Sequence, residues 1–387
     1  MAFLEVIKRE IKRVYKRPLI WTVSFFMPLL MCLLICLFFS KGSPTNLPIA
    51  VLDEDNSEIS RLFVRNLDSL PSCKIKYKVT DFNQGKQLLT EGKVYAFFAV
   101  PRHFQSDLYR MKQPQILFYY NNQRILIGGI ISKDVNLMVQ TMMAGINVKM
   151  RSKRGMPVWE AIKQVNLIKV DDHIHSNPYF NYMYFLSLVA FGHILQIHIM
   201  LTSTWALGSE FKNGTTKEWL KTADNSIINA VFGKMTLYFI IFSILFCILA
   251  IFYFGVLKAP FTGNILWGIL STIMFIIASL YIPILFISIN GNFRYALSNC
   301  AFYVAMGFAF AGVTFPTMSM PLFAKIYSWF LPLSHWIKTM INQSLRQTPV
   351  IYDIKNLLPL ILLTGLGLIM LIRLKMLAQD EKRWYQL

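Results

Sequence analysis

The segment 208–225 carries the residues whose types and spacing best suit an interaction with another protein. Between two apolar stretches it places charged, glycine and hydroxyl residues at Glu210, Lys212, Gly214, Thr215 and Glu218. Gly214 can end a helix, and the hydroxyl of Thr215 or Thr216 can cap the next one. A polar loop of this kind either transmits force from a partner or is an ordinary solvated turn. The residues alone leave both interpretations open.

A second polar group, the sequence Asp-Asp-His-Ile-His at 171–175, contains ligand types that bind divalent metals. A polar junction at the entrance to a membrane helix has the same composition, so we predict no metal site. His193 and His198 lie in the apolar stretch that follows. Ionisable side chains in membrane helices often have a function. Residues five apart do not stack on one helix face, however, and we interpret both as neutral, hydrogen-bonded packing histidines.

The sequence offers no recognisable catalytic site. A phosphate-binding loop needs a glycine five residues before a Gly-Lys-Ser/Thr sequence. The nearest match, residues 232–235, has Ile228 in place of that glycine and Met235 in place of the hydroxyl residue. There is also no Gly-x-Ser-x-Gly sequence of the hydrolase type. We therefore predict a chain that is not an enzyme and has no cofactor of its own. A pump built on it needs a separate ATPase subunit that binds ATP and Mg.

The composition indicates that membrane helices position these residues. Of 387 residues, 55% are hydrophobic and only 15% are charged, against roughly 25% in soluble proteins. Long stretches without Asp, Glu, Lys or Arg cover residues 18–40, 173–209, 235–257, 259–293, 295–324 and 356–372. The last is the shortest, but about 17–25 apolar residues suffice for a span. We predict six transmembrane helices, which excludes a cytosolic enzyme and a secreted domain.

The net charge of +19 does not indicate a nucleic-acid partner, because most of the basic residues are dispersed. The tight cluster lies in residues 1–18, with six basic and two acidic side chains. Anionic lipid attracts each basic residue at such a position by about 1 kcal/mol. Short loops and helix ends decide orientation. We therefore predict a protein of the bacterial inner membrane with both termini on the cytoplasmic side. The long insertion 41–176 is predicted on the outer side.

The predicted fold is an α-helical polytopic membrane protein with six transmembrane helices and an inserted extracytoplasmic α/β domain. Its parts are a cytoplasmic amphipathic interfacial helix (1–18), the first transmembrane helix (19–40), the extracytoplasmic domain (41–176), transmembrane helices two to six (177–376) and a cytoplasmic tail (377–387). The region 177–376 includes the cytoplasmic loop 208–225. It also includes an extracytoplasmic segment, 316–350, whose aromatic residues and prolines favour a re-entrant path over a span.

Alternating apolar runs and turn residues organise the insertion. The patterns predict strands at 47–52, 94–100 and 115–120, and helices at 59–70, 81–92, 104–111 and 125–153. Asp81 is the predicted cap of the second helix. Cys73 is the only cysteine of the insertion, so no disulfide can form within it. About 130 residues can bury a core of their own.

Several motifs occur in the order found in a known family. They are Leu-Pro-Ile-Ala-Val-Leu-Asp-Glu-Asp-Asn-Ser at 47–57, Glu-Gly-Lys-Val-Tyr-Ala-Phe-Phe-Ala-Val-Pro at 91–101 with Phe104, Tyr-Tyr-Asn-Asn at 119–122, Glu-Phe-Lys-Asn-Gly-Thr-Thr-Lys-Glu-Trp-Leu at 210–220, Phe-Pro at 315–316 with Met-Pro at 320–321, and Leu-Pro-Leu-Ser-His at 331–335. With these motifs the chain resembles the type-two membrane permeases of ATP-binding-cassette exporters. The resemblance is to the subgroup with a large extracytoplasmic domain after the first span.

This resemblance implies a permease that exports a hydrophobic or amphiphilic substrate, such as a drug-like compound or lipid. Its partners are a separate ATPase subunit, a second permease chain, identical or homologous, the membrane lipid and, in some systems, a periplasmic adaptor protein. The residues expected to couple to the ATPase are Glu210, Lys212, Gly214, Thr215 and Glu218. The family typically has a second acidic residue where this chain has Lys212. The alternative function is a membrane-anchored sensor or receptor that binds ligand with its outer domain.

Overall fold

The structure, a computed structural model, describes residues 2–40, 42–110, 112–123, 125–153, 155–160, 181, 183–313 and 315–380. The chain divides into two compact units. The helical unit comprises Met1–Ser43 and Ile174–Leu387, and the α/β unit comprises Pro44–His173. The segment 171–175, considered above as a metal ligand set, lies outside the described residues.

The elements follow one another in chain order. The strands are β1 (Leu47–Asp53), β2 (Cys73–Lys78), β3 (Ala96–Val100) and β4 (Leu117–Tyr120). The helices are α1 (Ala2–Tyr15), α2 (Pro18–Phe38), α3 (Glu58–Asp68), α4 (Phe82–Thr90), α5 (Phe104–Tyr109), α6 (Ile125–Lys153), α7 (Leu188–Lys212), α8 (Thr216–Thr222), α9 (Ile227–Val256), α10 (Ile265–Ile289), α11 (Phe293–Ala305), α12 (Gly307–Phe310), α13 (Leu322–Phe330), α14 (Pro332–Ile341) and α15 (Val350–Gln379).

In the α/β unit, a four-stranded sheet has the order β2-β1-β3-β4. β1 is parallel to β2 and to β3, and β4 is antiparallel to β3. Every residue of β3 is buried, as expected for a central strand that is covered on both faces. The predicted strands coincide with β1, β3 and β4. The prediction missed β2, in which lysines alternate with the other residues and only Cys73 is buried.

Among the described residues, five helices of the helical unit are long and apolar enough to cross a membrane: α2, α7, α9, α10 and α15. The predicted stretch 295–324 does not form one continuous helix. It is divided into α11, α12 and the start of α13, with a left-handed backbone at Gly312. Pro316 and Pro321 follow, and proline cannot continue a preceding helix. Length without charge therefore overestimated helix length in this stretch.

Two predicted apolar stretches are shorter than the helices that contain them. The stretch 173–209 ended before Glu210, and the stretch 235–257 began after Lys234, because an unpaired charge is costly in lipid. In the structure, α7 continues through Glu210 and α9 begins before Lys234. Both side chains are completely buried. Their charges are matched within the protein, so they do not end the helices.

The segment 316–350 contributes α14 to the core of the helical unit. Trp336 is fully buried and donates a hydrogen bond to Thr272 Oγ1 at 3.0 Å. Its ring stacks on Phe275 with 5.0 Å between ring centroids. A side chain at Gly192 on α7 would collide with this indole, since a Cβ there would lie 2.2 Å from it. A re-entrant path of this segment through the membrane stays a prediction.

Candidate functional site

The carboxylate of Glu210, in the last turn of α7, is fully buried. Arg9 of α1 donates to it from its two terminal guanidinium nitrogens, Nη1 and Nη2, at 2.8 Å and 3.0 Å. Arg13 donates a further bond of 2.7 Å, and Lys234 of α9 and Thr215 also donate to it. Bidentate arginine–carboxylate pairs are among the strongest and most directional hydrogen bonds in proteins. Glu210 therefore holds α1, α7 and α9 together at one point.

A second buried carboxylate, Glu10 of α1, extends this arrangement. Lys234 Nζ lies 3.0 Å from Glu10 Oε2 and donates to the Ala206 carbonyl at 3.1 Å. The hydroxyl of Tyr238 donates to Glu10 Oε1 at 2.7 Å. The ionic cluster, as we call it, consists of Arg9, Glu10, Arg13, Glu210, Lys234 and Tyr238. Three cations thus face two carboxylates in a site with little access to water.

The side chains of α1 reach the cluster because of their spacing. Val6, Glu10 and Val14 recur every four residues and are buried, and residues four apart lie on one face of a helix. Leu4 and Tyr15 are exposed, at 59% and 82%. The buried face of this amphipathic helix therefore combines apolar valines with charged residues, and part of its apolar surface faces outward. This corrects the expectation that its basic residues all face lipid headgroups.

Gly233 of α9 allows α1 to approach closely. A Cβ at Gly233 would lie 2.9 Å from the Val6 side chain and 3.1 Å from the Phe3 carbonyl oxygen. Both distances are shorter than ordinary carbon contacts. The next residue, Lys234, enters the cluster. The dipeptide Gly233-Lys234 is part of the nearest match to a phosphate loop. In the structure it lies within α9, at the place where α1 packs against this helix.

The pKa of Arg9 reflects this environment. Burial favours loss of the proton and lowers the pKa, whereas the hydrogen bond and negative charge of Glu210 raise it. The balance leaves the pKa above its ordinary value, so the guanidinium stays charged. The Arg13 guanidinium also packs on Trp205, 4.9 Å from the ring centroid, where a cation–π interaction adds to its binding.

The predicted loop leaves α7 at Gly214, whose φ of +65° is a conformation that favours glycine. Thr215 precedes α8, but its hydroxyl does not cap that helix. It bonds the Glu210 carboxylate instead, while its amide donates to the Glu210 carbonyl at 3.0 Å. Trp219 of α8 is fully buried and donates to the Ala230 carbonyl at 3.1 Å. The loop is therefore fastened at both ends.

The structure divides the five predicted coupling residues into two sets. Glu210 and Thr215 belong to the interior, and Gly214 shapes the turn between them and α8. Lys212 and Glu218 are exposed, with Lys212 Nζ 5.3 Å from the Phe293 ring centroid. A solvated Glu210 was one of the two expectations, and the structure contradicts it. Contact of the exposed set with an ATPase stays a prediction.

The two histidines of α7 do not join the ionic cluster. His193 packs beside Phe308, with 5.8 Å between ring centroids. Within the part of the chain that the structure describes, the Nδ1 atoms of His193 and His198 are buried and have no hydrogen-bond partner. The expected hydrogen bonds at these two atoms are therefore missing among those residues.

Sequence reasoning missed the partners of Glu210. Lys234 carried a usable signal, because it is the one charged residue of the stretch 227–257, and a lone charge in such a stretch usually has a buried partner. Glu10 carried a weaker signal as one of two acidic residues within a basic helix. No sequence signal indicated the pairing of α1 with α9, because this pairing joins residues far apart in the sequence.

Residues 17–373 match the profile of a family described as ABC-2 family transporter protein. The chain belongs to the ABC-2 family. This match covers most of the chain, including Glu210, Lys234 and the loop between them. As an ABC-2 family member with five helices able to cross a membrane, the chain is an integral membrane protein and a permease component of transport.

One relative of this ABC-2 protein is the linearmycin resistance permease protein LnrN of Bacillus subtilis strain 168. The two are 22% identical over 109 residues, which are 28% of this chain and 28% of the relative. The match thus spans well under a third of that relative's length. No solved structure matches the chain.

Proposed function

We propose that this chain is the membrane permease subunit of an ATP-driven ABC exporter. It moves a hydrophobic or amphiphilic substrate, such as a drug-like compound or lipid, out of the cytoplasm or inner leaflet. A separate ATPase subunit holds ATP and Mg, and a second permease chain, identical or homologous, completes the path. A periplasmic adaptor is an optional further partner. Family membership and the resistance permease relative support this assignment.

The ionic cluster is the observation that carries the proposal. It joins α1, the end of α7 and the start of α9, and Thr215 connects it to α8. Packed interiors transmit displacement because they deform little. A push on α8 therefore reaches the two long helices α7 and α9. This arrangement suits a loop that receives motion from a partner better than a turn that only connects two helices.

In this proposal the exposed residues of the loop touch the ATPase and the buried ones position them. Lys212 and Glu218 form the contact, and Lys221, exposed on the same short helix, extends it. Gly214 and Thr215 set the angle at which α8 leaves α7. Glu210 acts as a positioning residue, because its carboxylate is fully occupied by α1 and α9.

The proposed topology places both termini in the cytoplasm and residues 41–176 outside. The exposed lysines Lys8, Lys12 and Lys16 lie before α2, where the positive-inside rule expects cytoplasmic charge. Six crossings require one more than the five long helices. α11 and α12 supply it in two pieces, since 13 and 4 residues with the joining residue extend about 27 Å at 1.5 Å each.

Cysteine labelling tests this topology. We expect a membrane-impermeant maleimide, added outside intact cells, to label Lys86→Cys in the α/β unit and not Lys221→Cys in α8. Both positions are exposed, so accessibility within the protein does not distinguish them. The native Cys73 is buried and serves poorly as a reporter. The reverse labelling pattern, or equal labelling of both positions, contradicts the orientation.

Reconstitution with an ATPase subunit tests the function. We expect the purified chain to hydrolyse no ATP alone, and to bind an ATPase whose hydrolysis an amphiphilic substrate stimulates. The double substitution Lys212→Ala with Glu218→Ala should weaken ATPase binding tenfold or more, because each lost charge-assisted hydrogen bond is worth about 1.5–3 kcal/mol. The matched control is Lys86→Ala with Glu91→Ala, two exposed charges of the α/β unit. Absence of ATPase binding and of substrate-stimulated hydrolysis would instead favour the receptor.

A further inference from the structure

An apolar groove runs between α3 and α6 of the α/β unit. Its volume is about 800 Å³, within the range of about 300–1,000 Å³ that is typical of small-molecule sites. The apolar side chains that line it include Leu62, Leu70, Leu137, Met138, Met142 and Ile146. Methionine side chains adapt to irregular apolar ligands because they are unbranched and polarisable. The walls therefore suit a flexible hydrocarbon chain.

Gly145 of α6 widens the groove. The residue is exposed and lines the groove, and a Cβ built there would meet nothing within 4 Å. No neighbouring atom requires glycine at this position, and glycine is unfavourable within a helix. The space that a side chain would fill remains open between the two helices.

The charged residues of the groove distinguish its two ends. At one end Lys149 Nζ lies 4.0 Å from Glu58 Oε1, so this ammonium and this carboxylate form an ion pair and neutralise each other. Asp134 lies fifteen residues earlier on α6, which is about 22 Å along a helix. Its carboxylate forms no hydrogen bond or ion pair with the residues that the structure describes. Two carboxylates and one ammonium give the lining a net negative charge, although the insertion as a whole is basic.

We propose that this groove binds a cationic amphiphile, with the amine at Asp134 and the apolar chain along Met138 and Met142. The net negative charge of the lining favours a cationic occupant over a neutral or anionic one. Binding needs neither ATP nor a partner, so its test does not depend on the exporter proposal.

Photo-crosslinking of the full chain in nanodiscs of neutral lipid tests the site. The probe is dodecylamine with a diazirine near the end of its chain, and the comparison probe is the corresponding alcohol. Crosslinks are located by peptide mass spectrometry. We expect the amine to label peptides of α3 and α6, and to do so at least tenfold more than the alcohol. Asp134→Asn should abolish this preference and leave the labelling by the alcohol unchanged.

A second test compares a substitution that fills the groove with the same substitution elsewhere on α6. Gly145→Trp should reduce amine labelling of these peptides at least tenfold. Gly129→Trp should leave it within twofold, because Gly129 is also exposed on α6 with nothing within 4 Å of its Cβ, but does not line the groove. If Gly145→Trp does not fold, Leu137→Lys and its control Leu126→Lys take its place. These two leucines of α6 are 61% and 56% exposed, and only Leu137 lines the groove.

Three results would overturn the proposal. Labelling that survives Gly145→Trp or Leu137→Lys places the probe elsewhere. Equal labelling by amine and alcohol, unchanged in Asp134→Asn, shows that the ligand is not selected as a cation. A polypeptide crosslinked across α3 and α6 in the purified chain identifies a protein as the occupant.

Discussion

Glu210→Ala should lower the stability of the helical unit by about 3–5 kcal/mol, the usual result of removing one partner from a buried ion pair. The substitution leaves three cations of the cluster, Arg9, Arg13 and Lys234, facing the single carboxylate of Glu10. Thermal unfolding of the detergent-solubilised chain, followed by tryptophan fluorescence, measures the loss. Glu218→Ala is the control, since it removes an exposed carboxylate of the same loop. Such surface changes usually stay within about 0.5 kcal/mol of neutral.

A double-mutant cycle shows whether the loss comes from the unpaired cations. Lys234→Met removes one of them, so Glu210→Ala should cost less in that background than in the native chain. Groups in one ionic network commonly show coupling energies of about 0.5–3 kcal/mol. If the effects of the two substitutions simply add, or if Glu210→Ala is as mild as Glu218→Ala, Glu210 does not pair with Lys234 in the interior.

Gly233→Leu should detach α1 from α9 and make it sensitive to protease. A side chain at this position meets Val6 and the Phe3 carbonyl oxygen at 2.9 Å and 3.1 Å. Overpacking of this kind costs about 1–3 kcal/mol, and separation of the cluster adds the cost of unpaired charge. Because about 1.4 kcal/mol is a factor of ten, trypsin should cut α1 roughly ten to a hundred times faster. Export by the assembled complex should fall in parallel.

The control for that experiment lies in the same helix. At Gly255 of α9 a Cβ meets only Ile251, at 4.0 Å, so Gly255→Leu should leave both cleavage and export near the native values. Protection of α1 that persists in Gly233→Leu would mean that α1 does not dock on α9 through this glycine. Normal export by a protein whose α1 is detached would show that α1 does not transmit motion from the ATPase to the membrane helices.

The cluster is better understood as a device for specificity than as a source of stability. Removing charges from water costs nearly as much as their mutual attraction returns, and apolar residues of similar size can replace a buried ionic group without loss. A charge-lined contact, however, tolerates few alternative positions of α1, since a shift by one residue would unpair Arg9 and Arg13 together. The contact therefore defines one register of α1 against the loop and α9.

Some properties of this protein follow from the sequence alone. Apolar length predicted the helices α2, α7, α9, α10 and α15, because a segment that crosses a bilayer has to be apolar along most of its length. Apolar runs and turn residues predicted β1, β3 and α6, where burial leaves a local pattern. The polar loop after α7 and the glycine that ends this helix were likewise visible as single residues.

Only the tertiary structure decided how the charges are matched. Glu210 and Lys234 bound the predicted apolar stretches, yet both are buried inside helices, where α1 supplies their further partners. Arg9 and Arg13 meet Glu210 across 201 and 197 positions of the chain, and no local pattern records such a pairing. The cost of burying a charge depends on the distance and geometry of its partner. The partners of Glu210 and Lys234 therefore depend on the packing of α1 against α9, which only the tertiary structure shows.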